Sequence, residues 1–322
     1  MPPIVTDVLI QCKKVVAYRS ELGDLLLQRA QAYADVTANA GKMTDEAVAR
    51  QIAPFVGAKG VRFQADGVIY RSDRTRDVTQ LTHALARQHA AYEHLVYRPV
   101  VSAVNEEQGV VFTAIYFVLR NRGALFGASA PSGRISKGFL VDKLGFDKNT
   151  GALVSSLVTR QLTLEERDAL LPDPTKWQPA VVEEGELVAV PDVVAGPNDH
   201  KYMAEIISNW AGVWSSEASV DVLEKVLAPD CRAYDGYGLA NKPNGILWQA
   251  VDEARKIILA THERYDNRNQ LVSYAVSHEH KLGFHHWRAN AVDKERVEQP
   301  IEGIHNLYEF DMKPYPLKAY AP

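Results

Sequence analysis

Apolar positions along this chain recur first at helical spacing and then in alternation, and that succession happens twice. Residues 22–40 read as a helix and 44–53 as a shorter amphipathic one, with Thr44 as its N-cap and Asp45 and Glu46 on its positive end. A strand and turn follow at 61–67, then a long helix at 77–94. Alternating strands come after it at 96–104, 110–120, 137–146 and 152–160. The second passage predicts helices over 199–214 and 219–227, the latter capped by Ser219. A strand and turn at 231–236 and a long helix at 244–263 come next, the helix patterned by Ile246, Ala250, Val251, Ala254, Ile257 and Ile258. Strands follow at 270–277, 282–291 and 301–311.

Both short helices are expected to end at Ala-Pro, at Ala53-Pro54 and Ala228-Pro229. Asp66 and Asp235, Glu93 and Glu263, and Pro54 and Pro229 keep a near-constant separation, which reads as a structural repeat of low identity. Between the passages Pro172, Pro174, Pro179, Pro191 and Pro197 alternate with Glu183, Glu184 and Glu186. Proline fixes φ and removes a donor, so neither a helix nor a central strand suits this stretch. The expected organisation is a first domain at 1–171, a linker at 172–197 and a second domain at 198–322.

Composition narrows the class. Of 322 residues, 46% are hydrophobic and 24% charged, which describes a folded globular chain and excludes a disordered, collagenous or coiled-coil one. A net charge of −4 asks for no nucleic-acid partner. Cys12 and Cys231 stand far apart and form no Cys-x-x-Cys pair, which fits a reducing compartment. No apolar run reaches the ~20 residues a bilayer span needs, and the N-terminus lacks a basic region followed by an apolar stretch. A cytoplasmic location away from the membrane is expected. Phosphate-cradling glycine motifs are absent, so no cofactor is implied, and no Gly-x-Ser-x-Gly elbow occurs.

Candidate chemistry sits at a few points. Asp66-Gly67 and Asp235-Gly236 are turn signals, because glycine takes positive φ and aspartate caps the backbone. Either carboxylate could also serve as a general base. Asp235 is the better placed, since Tyr234 and Tyr237 beside it would disfavour its charged form. Glu93-His94 and His262-Glu263 are expected at the ends of the long helices, where a cationic histidine is favoured by the dipole alone or could reach a ligand. His278, His280, His285 and His286 suggest zinc, but the first pair falls in an expected hairpin turn and the second pair alternates across a strand. No metal is expected. His286 is expected to face inward, in phase with Leu282 and Phe284. Trp210 and Trp214 share one helix face and, with Tyr33, either pack the sheet or wall a ligand site.

The order of elements resembles the nuclear transport factor 2-like fold, and within it the SnoaL-like polyketide cyclases. The residues that carry the resemblance are Trp210-Ala211-Gly212-Val213-Trp214, Val226-Leu227-Ala228-Pro229-Asp230 and Tyr234-Asp235-Gly236. The closing Gly303-Ile304-His305-Asn306-Leu307-Tyr308-Glu309-Phe310-Asp311 adds to them. The resemblance implies an α+β protein of two tandem cone-shaped domains. Each would be a curved antiparallel sheet wrapped around a long helix and two shorter ones. It implies a small, mostly apolar ligand in the cone, with cofactor-free cyclase, isomerase or dehydratase activity as the catalytic form. Asp235, His262 and His286 are the expected catalytic residues. Trp210, Trp214, Tyr234, Tyr237, Phe284, Tyr33, Asp66 and His94 are the expected ligand contacts. The alternative is a non-catalytic assembly scaffold. Two copies in one chain could pair as a pseudo-dimer, with a homodimer as the further assembly.

Overall fold

The computed structural model describes residues 20–66, 71–123, 131–166, 198–234, 246–277, 282–294, 298–310 and 317–321. The expected linker lies outside them. The chain divides into two compact units, one within Leu9–Trp177 and one drawn mainly from Gln178–Pro322.

The N-terminal unit opens with α1 (Glu21–Asn39), started by the Ser20 side chain accepting from the Gly23 amide and by Glu21 and Asp24 in the first turn. Leu26, Ala30, Tyr33 and Thr37 form its buried stripe. Thr44 caps α2 (Asp45–Ile52) as expected, accepting from the Ala47 amide. Strands β1 (Val61–Asp66) and β2 (Arg71–Arg76) form a hairpin. Asp77 and Gln80 then close a reciprocal capping box on α3 (Val78–Ala91). That helix stops before the expected position. Tyr92 already pairs with Asn121, so Glu93 and His94 lie on β3 (Tyr92–Asn105) and not at a helix end. Strands β4 (Val110–Asn121), β5 (Ile135–Phe146) and β6 (Leu153–Arg160) complete the unit.

The sheet order is β2-β1-β6-β5-β4-β3. Every pair is antiparallel except β1 with β6, a departure from the wholly antiparallel sheet expected. Register shifts at His94/Val96 and Pro99/Val101 bend β3. The helices cover one face, where Leu26, Ile52 and Leu81 pack on Val104, Val111 and Leu144.

The C-terminal unit repeats this order. It contains α4 (Asn198–Val213), a 3₁₀ turn Val220–Val222 running into α5 (Leu223–Val226), β7 (Leu227–Tyr234), β8 (Ile246–Gln249), α6 (Ala250–Arg264), β9 (Tyr265–Ser277), β10 (Leu282–Asp293), β11 (Glu298–Phe310) and β12 (Leu317–Ala321). Its sheet runs β8-β7-β12-β11-β10-β9, again with one parallel pair, β7 with β12. Two expectations need correction. The short helix ends at Val226, so Ala228 and Pro229 are in β7. The ladder there jumps from the Leu317–Leu227 pair to Ala319–Arg232, and Pro229, which has no amide proton to donate, falls in the gap. Residues 246–249 form a strand rather than the first turn of the long helix, with buried Trp248 opposite Ala233. No helix among the described residues is long and apolar enough to cross a membrane.

Candidate functional site

Strand register assembles a polar row in the N-terminal unit. Ser102 on β3 stands opposite Thr113 on β4, and Thr113 stands opposite Asp142 on β5. Cross-strand partners share a face. The next pairs along, Val104 with Val111 and Val111 with Leu144, belong to the helix-facing core. The row therefore points at the helices. The Ser102 and Thr113 hydroxyls are 3.1 Å apart, and Ser156 on β6 donates to Asp142 Oδ1 at 3.1 Å. Asp142 is 6% exposed and Ser156 0%.

Such a carboxyl cannot keep its solution chemistry. Burial pushes Asp142 from 3.8 up to about 7, against the Ser156 hydrogen bond, which favours the charged form. Tyr33 from α1 and Tyr97 from β3 reach the same region. Burial and then the Asp142 charge raise the Tyr33 phenol far above its usual 10.0, against Arg76 and a hydrogen bond with Ser156. Burial, Asp142 and Tyr33 likewise raise Tyr97, against Arg160. Near neutral pH the site holds one carboxyl able to take or give a proton and two phenols fixed as neutral donors. That combination suits proton abstraction beside a carbonyl, with the developing oxyanion held by a phenol.

The surroundings are firmly tied. Arg160 grips Glu166 through two contacts, one of 2.6 Å from Nη1 to Oε2, and Glu166 also accepts from the Thr163 amide at 2.9 Å. Tyr92 shares a 2.9 Å hydrogen bond with the Thr163 hydroxyl. The Arg76 guanidinium lies 4.5 Å from the centre of the Phe63 ring. His94 stacks on Tyr97 at 5.0 Å between centroids and meets His89 at 4.0 Å. Burial and the neighbouring His89 push His94 down to about 3, so it is a neutral wall at physiological pH.

Of the residues expected to contact ligand, Tyr33 is in this site and His94 stands one ring behind it. Asp66 is the last residue of β1, and its side chain lies outside the described residues, as do Asp235 and Tyr237 altogether. Tyr234 closes β7 and is described by its backbone only. Trp210 is buried, edge-on to Trp214 at 5.6 Å and 5.9 Å from Trp248. His262 Nε2 is 3.0 Å from the Val213 carbonyl, a contact that joins α6 to the end of α4.

The inward orientation expected of His286 is corrected by the register. Tyr274 packs in the helix-facing core and pairs with His285, so His285 shares that face. His286 pairs with Ser273 on the opposite face, the one Phe284 also takes opposite Ala275. Both histidines are buried, at 1% and 2% exposure, so the apolar pattern on which the phase was set could not separate the two faces. His285 in turn stands opposite His305 on β11. Among the described residues no three His, Cys, Asp or Glu side chains converge on a metal position, and His278 and His280 lie outside them. The Cys231 thiol is buried and pushed up to about 12 by burial and Asp230, so it stays protonated.

Asp142 was not singled out by the sequence reading, although a signal exists. It stands two residues from both Leu140 and Leu144, in phase with the apolar face of its strand, while Lys143 takes the other side.

No family model and no curated protein matches the sequence. Among solved structures, the chain is similar to a protein of Jannaschia sp. CCS1 assigned as a SnoaL-like polyketide cyclase, at 14% identity and a TM-score of 0.34, over 44% of this chain and 89% of that one. It is similar to AclR of Streptomyces galilaeus, assigned as a hydroxylase, at 16% identity and a TM-score of 0.31, over 46% and 85% of the two chains. An Ntf2-like protein involved in plasmid conjugation is similar over 86% of this chain and 87% of its own, at 9% identity and a TM-score of 0.22.

Proposed function

We propose that the N-terminal unit binds a small, mostly apolar carbonyl compound between α1 and the sheet and moves a proton on it, with Asp142 as the acid–base group. One observation carries this reading: a buried carboxyl held at about 7 beside two phenols that stay neutral. Ionised Asp142 takes the proton from the carbon next to the carbonyl, and its carboxyl becomes neutral. The electron pair moves onto the carbonyl oxygen, which accepts a hydrogen bond from Tyr33 or Tyr97. Asp142 then returns its proton to another carbon in an isomerisation, or to a departing hydroxyl in a dehydration. In a cyclisation the enolate carbon attacks a second carbonyl, and the Asp142 proton goes to the new alkoxide. We read the two units as tandem nuclear transport factor 2-like domains, supported by their common element order and strand order.

The alternative is a non-catalytic assembly module. It draws on the pairing of Ser102 with Thr113 and of Ser156 with Asp142, which satisfies these hydroxyls without a ligand. Proton exchange separates the two. In deuterated buffer, NMR should show the protein accelerating deuterium entry beside the carbonyl of 2-tetralone, with a rate that rises with pH through about 7 as Asp142 ionises. Asp142→Asn should lower that rate by about 10²–10⁴. Equal rates for the two proteins would leave the assembly module as the reading.

A further inference from the structure

We infer that the molecule bound by the N-terminal unit carries an anionic group, a carboxylate, and that Arg76 holds it at the end of the site away from Ser102. The inference rests on the proposed function and adds the substrate class to it.

Arg76 is on β2 opposite Val61, a wholly buried member of the helix-facing core, so its side chain starts on the face that bears Asp142. The guanidinium reaches along that face to lie over Phe63, which stands opposite Ser156, the residue bonded to Asp142. Its charge lowers the pKa of the buried Tyr33 phenol. A continuous line results across the sheet: Arg76, Phe63, Ser156, Asp142, Thr113 and Ser102.

Among the described residues Arg74, Arg76 and Arg160 start on this face; Arg74 is exposed to water, and of the two others only Arg160 is answered by an acid. Arg160 spends its planar fork on Glu166. Arg76 is half-buried and, among the described residues, has the Phe63 ring but no acidic partner. A guanidinium matches a carboxylate with two parallel hydrogen bonds and holds it best where water is partly excluded. The ring beneath it leaves the in-plane donors open, because stacking uses the face of the guanidinium and not its edge. Phe63 and Asp142 are two strand spacings apart through β6, so the bound carboxylate would sit roughly 10 Å from the carbon that loses its proton. That is about the length of a two-ring skeleton with the acid at one end and the carbonyl at the other.

The test compares 2-tetralone-6-carboxylate with its methyl ester by titration calorimetry at pH 6, where the ligand is ionised and Asp142 is largely neutral. The acid should bind wild-type protein about tenfold more tightly than the ester, as a charge-assisted pair would give. In Arg76→Gln the ratio should collapse to about one, and in Arg76→Lys part of it should return. An ester that binds wild-type protein as tightly as the acid, or a preference that survives in Arg76→Gln, overturns the inference and leaves apolar binding standing. If neither compound binds at about 1 mM, in the weak range of ordinary affinities, both the inference and the proposed function fall.

Discussion

Replacing Asp142 with asparagine should make the N-terminal unit more stable above neutral pH, although the substitution alters a buried hydrogen-bonded group. In the folded unit the neutral carboxyl is favoured, with burial raising it from 3.8 to about 7. A raised acid contributes stability that is fully present below its unfolded value and is lost as pH rises through its folded one. Between those values the native carboxyl holds a proton that the unfolded chain has already released. The gap is worth about 4 kcal/mol, lost between about pH 4 and pH 8. Asparagine keeps the shape, offers an oxygen to the Ser156 hydroxyl and does not titrate. Other groups bend the raw curve the opposite way, since His94 and Glu166 are both held below their ordinary values. The informative quantity is therefore the difference between wild type and Asp142→Asn. Tryptophan fluorescence is a poor probe, because four of the five tryptophans, Trp210, Trp214, Trp248 and Trp287, belong to the C-terminal unit and dominate the signal. Amide hydrogen exchange read by mass spectrometry on β4 and β5 peptides reports the right unit. The opening free energy of wild type should drop relative to the variant as pH rises from 5 to 8, and the variant should be the more stable at pH 8. A flat difference across that window, or a less stable variant at pH 8, would refute the reasoning.

Gly138→Ala should destabilise the N-terminal unit by about 1–3 kcal/mol, the range for overpacking, because a Cβ there would meet Phe117 Cζ at 2.5 Å and Gln161 Oε1 at 2.9 Å, and the Phe117 ring is wholly buried; exchange on β5 peptides checks it, and an unchanged opening free energy would count against the packing. His94 should stay neutral from pH 8 down to pH 5, and its lowered pKa means that its contribution to stability falls as acid protonates the unfolded chain first; a His94 ring resonance that shifts with a midpoint near 6.5 would contradict this.

Elements were legible where one face of a strand or helix dominates its pattern. The strands at 110–120 and 137–146 were found almost to the residue, and Thr44 was found as a cap. The failures have physical causes. Ala91 to His94 continues the helical phase of α3, and only the pairing of Tyr92 with Asn121 turns it into strand. Strand β2 reads Arg-Ser-Asp-Arg-Thr-Arg, a charged edge with no apolar alternation to reveal it. Asp142 looks like any solvated acid until two facts of lateral order are known: that Thr113 stands beside it, and that α1 covers both. The row it belongs to is drawn from four strands and a helix, and no local window contains it.

The two sheets have the same strand order, but the side chains at corresponding places differ. Where the N-terminal sheet sets Ser102, Thr113 and Asp142 in register, the C-terminal sheet sets Tyr274, His285 and His305. Tyr33 and Trp210 are each the thirteenth residue of the first helix of their unit. The first row is made of small polar side chains, which occupy little volume and leave a buried acid facing neutral phenols. At the second position the indole of Trp210 is packed against Trp214 and Trp248, so that part of the C-terminal unit is filled by its own aromatic rings. A filled core stabilises a fold and gives a substrate no room, whereas a buried carboxyl is costly to keep ionised. A buried acid perturbed in this way marks a candidate functional site. These differences support placing the proposed proton transfer in the N-terminal unit, the reverse of what the richer aromatic and histidine content of the second half suggests when it is read as sequence.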